Sequence, residues 1–434
     1  MSILPNIPDL RSGPIAVFGN GVSGQGAAAL LRSRGAWVNM FDQHGGPGVK
    51  TKFAESDAKT HRLVVFSPGF PPDHPWLVCA RDAGAKLYGE LDFASIYWPG
   101  ATIAVTGTNG KSTLTQFLVH ALKSIGADAL AAGNVGYPLS RYFETGAGDR
   151  STVVCEISSF QAEALQAFSP LVLFWTNISE DHLDRHGSME NYFRAKWRLV
   201  ERLRRPRLII GPSVAEMAEK LGFKLPSFAK VVSMDDVELP DSGPFSCAPQ
   251  AHNYALARIY WEEESYDPKV LEAAARSFQL APHRLERVAE KDGVEFWNDS
   301  VATNAAAAEA AISTIRRPIH WIGGGRNKGC EIDVFAKRIA NRLDAAYLIG
   351  ESGQEMARVL GESGVDARYS ETLEQAVMEA WEKCPVNGSI LLSPGFASHD
   401  QFSNYVKRGE CFKQTVLSLK ARSARPTVNQ CVKP

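Results

Sequence analysis

The sequence contains no uninterrupted apolar stretch of about 18 residues, which is the length that a membrane-spanning helix requires. It has no excess of either charge, because 47 Lys and Arg residues stand against 48 Asp and Glu residues and the formal net charge is −1. The first residues, MSILPNIPDLRSGP, lack the basic region and the apolar run of a secretory signal. We therefore expect no membrane insertion, no nucleic-acid partner and a location in the cytoplasm.

Cysteine is scarce and unpatterned. The seven Cys residues include no C-x-x-C pair, so the spacing indicates neither a metal site nor a disulfide framework. An odd number of scattered thiols is typical of a reducing compartment, where buried Cys acts as a small apolar residue. Apolar residues make up 44% of the chain and charged residues 22%, which is typical of a folded globular protein.

Short apolar runs alternate with Ala- and Leu-rich helical patterns along most of the chain. This alternation predicts an α/β fold with parallel sheets that are covered on both faces by helices. The helical patterns include GAAALLRSRG, LTQFLVHALKSIG and the Ala-rich stretch at 302–314. The predicted strands are residues 14–19, 37–42, 62–69, 102–107, 152–158, 171–179, 207–211, 318–324, 346–350 and 389–395.

Two breaks in this alternation suggest three domains. The first break is near WPGA at 98–101, and the second is near QLAPHRLE at 279–286. The predicted domains are residues 1–95, 96–281 and 282–434, and each has an ordinary domain size.

The stretch GTNGKST at 107–113 stands between an apolar strand and a helical pattern. Glycine allows backbone N–H groups to surround phosphate oxygens, and the start of the helix adds its positive end. Lys111 would reach the β- and γ-phosphates, and Ser112 or Thr113 would offer a hydroxyl to Mg²⁺. Val105 occupies the first glycine position of the strict pattern, so the loop is a shortened variant of a P-loop. The predicted ATP-binding loop is Gly107, Thr108, Asn109, Gly110, Lys111, Ser112 and Thr113.

A second glycine loop occurs earlier, in VFGNGVSGQGAAALL. Gly19, Gly21 and Gly24 form the pattern G-x-G-x-x-G between a strand and a helix, and Asp42 closes the following strand. Taken alone, this pattern suits a dinucleotide, so an NAD-dependent or nucleotide-binding protein without ligase activity is an open alternative. A nucleoside diphosphate would use the same cradle, and a purely structural tight turn is a further alternative.

Polar side chains follow two of the central predicted strands. Glu156 ends one strand, and His182 follows the next. The carboxyl ends of parallel strands meet at the ligand crevice, so both residues are candidate Mg²⁺ ligands for an ATP site. The alternatives are a solvated carboxylate for Glu156 and a capping or buried histidine for His182.

Eight motifs occur in an order that resembles the Mur ligases, a family that adds amino acids to the peptidoglycan precursor. Within the family, SPGF at 67–70 and the short first domain are similar to the branch that adds D-glutamate. The resemblance covers nearly the whole chain. The motifs are GTNGKST (107–113), GNVGYPLS (133–140), EISSFQ (156–161), TNISEDHLDRH (176–186), YFRAK (192–196), HRLE (283–286), NDSVATN (298–304) and SPGFASHDQF (393–402).

The resemblance implies a Rossmann-like first domain that holds UDP, a central P-loop ATPase domain with a parallel sheet, and a Rossmann-like third domain that carries the incoming amino acid. It implies amide formation through an acyl phosphate. The substrates would be ATP, UDP-N-acetylmuramoyl-L-alanine and D-glutamate, with two Mg²⁺ sites. The resemblance also implies a domain closure that completes the site, and we expect a monomer.

The resemblance also assigns roles by position. Lys111, His182 and Lys196 would be catalytic, and Lys196 would be carbamylated by CO₂ and so become a metal ligand. Ser112, Glu156, His182 and the Lys196 carbamate would hold metal, and Arg284 and Asp299 would bind ATP. The UDP-muramoyl substrate would contact Gly19, Asn20, Gly21, Val22, Ser23, Gly24, Asp42, Ser67, Pro68, Gly69, Asn134, Ser158, Ser159 and Gln161. The amino acid would contact Thr303, Lys328, Ser398, His399 and Tyr405.

Four positions depart from the pattern of the family. Leu256 stands where the central domain has an Asn, which puts an adenine contact in doubt, and Val301 stands where the third domain has a Lys. His399 and Tyr405 replace Leu and Phe. Val301, His399 and Tyr405 put the identity or stereochemistry of the amino acid in doubt, so L-glutamate or another amino acid is an open alternative. An inactive paralogue that serves as a binding module is a further alternative, against which the intact Lys111, Glu156, His182 and Lys196 argue.

Overall fold

The computed structural model describes residues 7–146, 148 and 150–420. The first and last stretches of the predicted terminal domains, residues 1–6 and 421–434, therefore lie outside the described residues. The strands are β1 Pro14–Phe18, β2 Trp37–Phe41, β3 Val49–Lys50, β4 Leu63–Phe66, β5 Lys86–Gly89, β6 Ala101–Thr106, β7 Ala129–Gly133, β8 Thr152–Glu156, β9 Val172–Trp175, β10 Leu208–Ile210, β11 Ala229–Val231, β12 Glu286–Lys291, β13 Val294–Asn298, β14 Ile319–Gly324, β15 Ala345–Ile349, β16 Asp366–Tyr369 and β17 Ser389–Leu392.

Helices follow most of the strands. The α-helices are α1 Val22–Ser33, α2 Glu55–Ala58, α3 Pro75–Asp82, α4 Glu90–Tyr97, α5 Lys111–Ser124, α6 Ser159–Glu163, α7 Leu183–His186, α8 Met189–Glu201, α9 Pro212–Lys220, α10 Gln250–Glu263, α11 Pro268–Ser277, α12 Ala305–Thr314, α13 Ile332–Ile339, α14 Gly353–Glu362, α15 Leu373–Lys383 and α16 Tyr405–Ser418. Three short 3-10 helices are Leu139–Glu144, Met234–Asp236 and Ala340–Arg342.

The strands form three sheets. The first has the order β3-β2-β1-β4-β5, the second β11-β10-β9-β6-β8-β7, and the third β12-β13-β17-β14-β15-β16. All pairings in the first two sheets are parallel. The α/β fold predicted from the sequence is confirmed, and so is each of the ten predicted strands.

The third sheet differs from the expectation of parallel sheets because β12 and β13 form an antiparallel hairpin. The turn between them is Asp292-Gly293, and both residues have positive φ (47° and 72°). Positive φ at both central residues favours a two-residue hairpin turn, and Asp-Gly is a typical sequence for it. The dipeptide was therefore a signal for the hairpin that the search for apolar runs did not use.

The chain divides into two compact units. The first contains the described residues up to Ile178, together with Gly187–Ser246 and Gln250–Phe278. It holds the first two sheets. The second unit contains Ser179–His186, Cys247–Pro249 and the described residues from Gln279 onward, with the third sheet.

The core of each unit follows from the periodicity of its elements. On α5, the apolar side chains at three- and four-residue steps, among them Leu114, Phe117 and Leu118, are fully buried. In the third sheet, every residue of β14 is buried, as expected for a central strand with helices on both faces. Apolar clusters on the two faces of that sheet close the core of the second unit.

Candidate active site

The first glycine loop leaves the centre of the first sheet. Gly19 follows β1 and Ser67 follows β4, and these adjacent parallel strands end at the crevice where α/β sheets bind ligands. Gly19 has a φ of +103°, and a Cβ there would lie 2.4 Å from Ser67 Oγ. A Cβ on Gly24 would lie 1.9 Å from the carbonyl oxygen of Gly19. The loop therefore closes on itself in a way that only glycine allows.

Asp42 holds this loop in place from the end of β2. Its carboxylate accepts hydrogen bonds from the backbone N–H groups of Asn20 (2.7 Å) and His44 (2.8 Å). Asn20 Nδ2 donates to the Gly45 carbonyl at 3.2 Å. Val22 and Ser23 begin α1. The N-cap residue before them is Gly21, which provides no side-chain cap. Pro68 and Gly69 follow Ser67 in the loop after β4.

The P-loop leaves the centre of the second sheet, after β6. Gly107 and Gly110 have φ of +146° and +82°, and Gly110 caps the start of α5. Lys111, the first residue of α5, donates from Nζ to the carbonyl oxygens of Gly107 (2.9 Å) and Thr108 (2.6 Å). The strand–glycine turn–helix arrangement that the sequence predicted is present.

The end of β9 anchors the P-loop. Thr176 Oγ1 donates to the Asn109 carbonyl at 2.6 Å, and Asn177 Nδ2 donates to the same oxygen at 3.1 Å. Asn177 Oδ1 accepts from the Asn109 N–H at 2.9 Å. The sequence analysis did not identify this anchor, although both residues belong to the TNISEDHLDRH motif.

The two hydroxyl groups that begin α5 differ in exposure. Ser112 is half-buried, and Thr113 is buried with an Oγ1 that has no hydrogen-bond partner among the residues that the structure describes. Thr108 Oγ1 lies 3.2 Å from the hydroxyl of Tyr192. The hydroxyl-rich start of the helix suits a bound phosphate or cation.

Lys196 projects from α8 to the same loop. Its side chain is 1% exposed, and Nζ donates to the Gly107 carbonyl at 2.9 Å and to Thr106 Oγ1 at 3.3 Å. The Gly107 oxygen therefore accepts from both Lys111 and Lys196. Because each Nζ atom lies 2.9 Å from this oxygen, the Nζ atoms of Lys111 and Lys196 can be no farther apart than twice that distance. Two ammonium groups this close, one of them buried, would repel each other strongly.

Glu156 ends β8, directly beside β6. The residue is 1% exposed, and Oε1 accepts from Asn134 Nδ2 at 2.8 Å. Oε2 is buried and has no hydrogen-bond partner in the described part of the chain. A buried carboxylate oxygen needs a partner, and a hard cation such as Mg²⁺ prefers oxygen ligands. Glu156 thus fits a metal ligand, although no group of three or more His, Cys, Asp and Glu with metal-binding geometry is found among the described residues.

Ser158 and Gln161 form the capping box of α6. Ser158 Oγ accepts from the Gln161 N–H at 3.2 Å, and Gln161 Oε1 accepts from the Ser158 N–H at 3.0 Å. Ser159 is buried at the first helical position. These side chains keep the end of β8 and its Glu156 in place.

In the second unit, Asp181 gathers several donors. Its carboxylate is 8% exposed and accepts from Lys328 Nζ at 2.6 Å and from Asn304 Nδ2 at 3.2 Å. The backbone N–H of His182 donates to it at 2.9 Å, and His182 has a φ of 55°. The resemblance implies an amino-acid contact for Lys328 and catalytic and metal-binding roles for His182, whereas it assigns no role to Asp181 or Asn304.

The other predicted residues of the second unit lie around the third sheet. Asp299, at the end of β13, is buried and accepts from Ser393 Oγ at 2.8 Å and from the Leu285 N–H at 3.1 Å. Burial raises the pKa of Asp299 to about 7, against the nearby charge of Arg284, which lowers it. Thr303 is half-buried before α12, Ser398 is buried, His399 is exposed and Tyr405 opens α16 with 39% exposure.

Two of the departures from the family pattern have a clear structural setting. Leu256 lies on α10 with its side chain buried in the core, so an Asn side chain at this position would be buried too. Asn253, one turn earlier on the same helix, contacts the P-loop, because a Cβ on Gly110 would lie 2.7 Å from Asn253 Oδ1. Val301 is half-buried in the loop after β13.

Comparisons with known proteins agree with this geometry. The model of the Mur ligase middle domain matches residues 105–234, and the model of the Mur ligase glutamate ligase domain matches residues 283–396. The chain is 31% identical to UDP-N-acetylmuramoylalanine--D-glutamate ligase of Caldanaerobacter subterraneus subsp. tengcongensis, over 95% of this chain and 100% of that protein. It is 33% identical to the protein of the same name from Caldicellulosiruptor bescii, over 95% and 99% of the two chains.

Solved structures share the fold. MurC, the UDP-N-acetylmuramate-alanine ligase of Thermotoga maritima, aligns with a TM-score of 0.60 at 18% identity, over 94% of this chain and 100% of that one. MurF of Thermotoga maritima, solved in complex with ADP, aligns with a TM-score of 0.57 at 13% identity, over 94% and 96%.

The fold and the site are those of an ATP-dependent, amide-forming ligase. Because relatives above 30% identity align over nearly the full length, the chain belongs to the Mur ligase family. The NAD-dependent alternative for the first glycine loop is not favoured by these matches. Among the described residues, no helix is long and apolar enough to cross a membrane.

Proposed function

We propose that the protein joins D-glutamate to UDP-N-acetylmuramoyl-L-alanine at the expense of ATP, as a monomer in the cytoplasm. The observation that carries the proposal is the convergence of Lys111 and Lys196 on the Gly107 carbonyl, beside the buried carboxylate of Glu156. The relatives that bear this name align over nearly the whole chain and support it.

The three sheets suit three tasks. We propose a UDP-binding domain at 1–95, an ATPase domain at 96–281 and an amino-acid-binding domain at 282–434. The diphosphate would lie on the glycine loop Gly19–Gly24 with Asp42 and the Ser67–Gly69 turn. Asn134 and the Ser158–Gln161 cap would contact the muramoyl part.

The P-loop would hold the triphosphate. The backbone N–H groups at the start of α5 and the Lys111 ammonium would bind the β- and γ-phosphates, and Ser112 and Thr113 would add hydroxyl groups. Arg284 and Asp299 of the third sheet are proposed as further ATP contacts. Thr176 and Asn177 would keep the loop in shape while the phosphates enter.

The buried carboxylate of Glu156 fits Mg²⁺, and Ser112, His182 and a modified Lys196 are the other proposed ligands for two sites. Bound Mg²⁺ supplies positive charge that offsets the repulsion between the triphosphate and an attacking carboxylate. The orphaned Oε2 of Glu156 is the described atom that most needs such a partner.

We propose that Lys196 is carbamylated. The neutral amine would attack CO₂ and lose a proton, giving an N-carboxylate with one negative charge. This change would remove the repulsion between Lys196 and Lys111 and turn it into attraction, since Lys196 is buried and shares the Gly107 oxygen with Lys111. Carboxylate oxygens at this position would also suit a hard cation.

The reaction follows from these roles. The carboxylate of the L-alanyl group would attack the γ-phosphorus of ATP, and ADP would leave with the electron pair of the broken P–O bond. The amine of the amino acid would then attack the acyl phosphate, form the amide and release phosphate and a proton. Thr303, Lys328, Ser398, His399 and Tyr405 are the proposed contacts for the amino acid.

Phosphate release from ATP tests the proposal. The purified protein would receive UDP-N-acetylmuramoyl-L-alanine with D-glutamate, L-glutamate, D-aspartate or meso-diaminopimelate in separate reactions. We expect release with D-glutamate alone, which would show that Val301, His399 and Tyr405 are compatible with D-glutamate. Phosphate release with another amino acid would support the ligase chemistry but show a different amino-acid specificity. No release with any of the four amino acids would favour an inactive binding module.

Two manipulations test the site itself. Lys111→Ala and Lys196→Ala should each abolish turnover, whereas Lys123→Ala, at the exposed end of α5, should not. CO₂-free buffer should lower the activity of the wild type, and bicarbonate should restore it. Near-normal activity of Lys196→Ala, or indifference to bicarbonate, would contradict the carbamate.

A further inference from the structure

Arg408, on α16 of the second unit, is a buried cation without a carboxylate at ion-pair distance among the described residues. Its side chain is 1% exposed. Nε donates to Ser300 Oγ at 3.1 Å, Nη2 donates to the Ser300 carbonyl at 3.0 Å, and Nη1 donates to the Phe396 carbonyl at 3.1 Å. The guanidinium is therefore held by neutral oxygens alone in the described part of the chain.

Burying a charged side chain costs free energy unless the charge is both paired with an opposite charge and hydrogen-bonded. Burial lowers the pKa of Arg408 to about 10, although the charge of Asp400 raises it. Arginine, with its planar fork of five donors, can link several backbone segments at once. A role that depends on such linking would explain why this position holds a guanidinium instead of an apolar side chain.

Four segments of the third sheet meet at Arg408. Ser300 lies in the loop after β13, Phe396 in the loop after β17, and Arg408 itself in α16. The fourth segment is the loop after β14, where Gly325 has a φ of +136°. A Cβ on Gly325 would lie 2.3 Å from the Ala397 carbonyl oxygen and 3.3 Å from Arg408 Nη1.

The hydrogen bonds extend this meeting point. Ser300 Oγ, which accepts from Arg408, donates in turn to the Tyr405 carbonyl at 2.8 Å. Gly409, the next residue of α16, allows the helix to approach His283, because a Cβ on Gly409 would lie 2.3 Å from His283 Nδ1. The first turns of α16 are thus tied to the end of β13.

Each of these segments carries at least one proposed amino-acid contact, within three residues along the chain of the position that meets Arg408 or of Arg408 itself. Thr303 follows Ser300 by three positions, and Lys328 follows Gly325 by three. Ser398 follows Phe396 by two, and Tyr405 precedes Arg408 by three. A single side chain therefore lies where the backbone segments of these four proposed contacts meet, and the fifth, His399, directly follows Ser398.

We propose that Arg408 is a positioning residue for the incoming amino acid, which sets the spacing of the loops that carry Thr303, Lys328, Ser398 and Tyr405. The inference rests on the proposed function, because it requires an amino-acid site on these loops. Arg408 itself does not touch the reacting atoms; it acts through Ser300 and Phe396.

The test is a comparison of kinetic constants. Arg408→Lys keeps the charge but cannot reach Ser300 and Phe396 together, so we expect the KM for D-glutamate to rise about tenfold, as the loss of one or two hydrogen bonds implies. The KM values for ATP and for UDP-N-acetylmuramoyl-L-alanine should stay within about twofold, and kcat should fall less than the KM for D-glutamate rises. Arg358→Lys, an exposed arginine of α14, is the matched control and should match the wild type.

A second variant keeps the test decisive if Arg408→Lys fails to fold. Ser300→Ala leaves the guanidinium in place but removes its contact with Nε and the link to Tyr405. We expect the KM for D-glutamate to rise about threefold in this variant without a change in the KM for ATP. If Arg408→Lys does not fold, Ser300→Ala decides alone, and an unchanged KM for D-glutamate would overturn the inference.

The outcomes separate this inference from the proposed function. If the wild type releases phosphate with D-glutamate but neither variant changes the KM for D-glutamate, Arg408 is merely structural and only the inference fails. An equal rise of the KM values for D-glutamate and ATP would overturn it in the same way. A wild type that is inactive with every amino acid would remove both the proposed function and the inference.

Discussion

At Gly24, the space for a side chain is taken by the chain itself. The nearest atom is the Gly19 carbonyl oxygen, 1.9 Å from where a Cβ would stand. Gly21, three residues earlier in the same loop, has nothing within 4 Å of such a Cβ. A methyl group would therefore clash with the backbone at Gly24, whereas it would meet no atom at Gly21.

Gly24→Ala should therefore deform the loop, whereas Gly21→Ala should not. We expect Gly24→Ala to cost about 1–3 kcal/mol of stability, the usual range for overpacking, and to raise the KM for the UDP substrate. Thermal unfolding and steady-state kinetics of the two variants measure these effects. Equal behaviour of the two variants would mean that close packing does not explain Gly24.

Glu90 is a residue whose protonation should affect stability. It is buried at the start of α4, where Oε1 accepts from the Ser140 N–H at 2.8 Å. Burial raises the pKa of Glu90 from 4.5 to about 6. A raised folded-state pKa means that the folded protein binds the proton more tightly than the unfolded chain does.

The contribution of Glu90 to stability should consequently be greatest below about pH 4.5 and should be lost as the pH rises through about 6. The difference amounts to about 2 kcal/mol for this shift. Glu90→Gln should flatten this part of the stability profile, measured by urea unfolding at a series of pH values between 4 and about 7.5. Glu201→Gln, at the exposed end of α8, should leave it unchanged.

At the scale of elements, α4 is fastened by one carboxylate. Asp92 accepts from the backbone N–H groups of Gln166 (2.8 Å), Ala167 (2.8 Å) and Phe168 (2.7 Å) and is itself buried. The segment 166–168 lies between α6 and β9. One side chain thus joins a helix of the first sheet to a loop of the second.

Removal of this carboxylate would leave three N–H groups without their acceptor. We expect Asp92→Ala to cost about 3 kcal/mol and Asp92→Asn less, since the amide oxygen can still accept. The melting temperatures of the two variants, compared with the wild type, check this order. If Asp92→Ala melted like the wild type, the N–H groups would have found other acceptors and the link between α4 and the loop would be dispensable.

At the scale of the whole molecule, ligand binding should appear as stability. A ligand that binds only the folded protein stabilises it by about 2.7 kcal/mol at a concentration of 100 times its Kd. Mg²⁺–ATP should therefore raise the melting temperature of the wild type. Lys111→Met should lose most of this rise, because the lysine is the cation of the phosphate loop, and Lys123→Met on the same helix should keep it.

Chelation of Mg²⁺ tests the same ATP site with the same measurement, the rise in melting temperature. EDTA should reduce the rise with ATP in the wild type, since the metal offsets the charge of the phosphates. A full rise in Lys111→Met, or no effect of EDTA in the wild type, would contradict the proposed ATP site.

The central strands and the two glycine loops were predictable because their signals are local. A central parallel strand is a continuous apolar run, and both loops need glycine where the chain turns tightly after a strand. One missed strand, β13, lies inside its sheet, but its residues VEFWN alternate in burial and form no continuous apolar run. The other missed strands, such as β7 and β16, lie at the edges of their sheets. Packing on one face only leaves polar residues in such strands, so their composition resembles that of loops.

The resemblance to the Mur ligases could also be found from the sequence, because it rests on motifs whose letters and order are visible. Lys196 was identified in this way, whereas Glu156 was already a candidate from its place at the end of a predicted strand. Their geometry was not predictable, since no spacing in the chain shows that Glu156 Oε2 is buried without a hydrogen-bond partner in the described part, or that Lys196 shares an oxygen with Lys111.

The sequence by itself determined the class of fold, the positions of the two glycine loops and the family, because apolar periodicity, glycine spacing and motif order are properties of neighbouring residues. Only the tertiary structure decided which distant groups are in contact. Thr176 and Asn177 hydrogen-bond to the P-loop, Lys328 forms an ion pair with Asp181, and Arg408 of α16 lies where three loops meet. These contacts join residues far apart in the chain, and an arginine in NYVKRGE reads as an ordinary helix cation until the packing of α16 shows that it is buried.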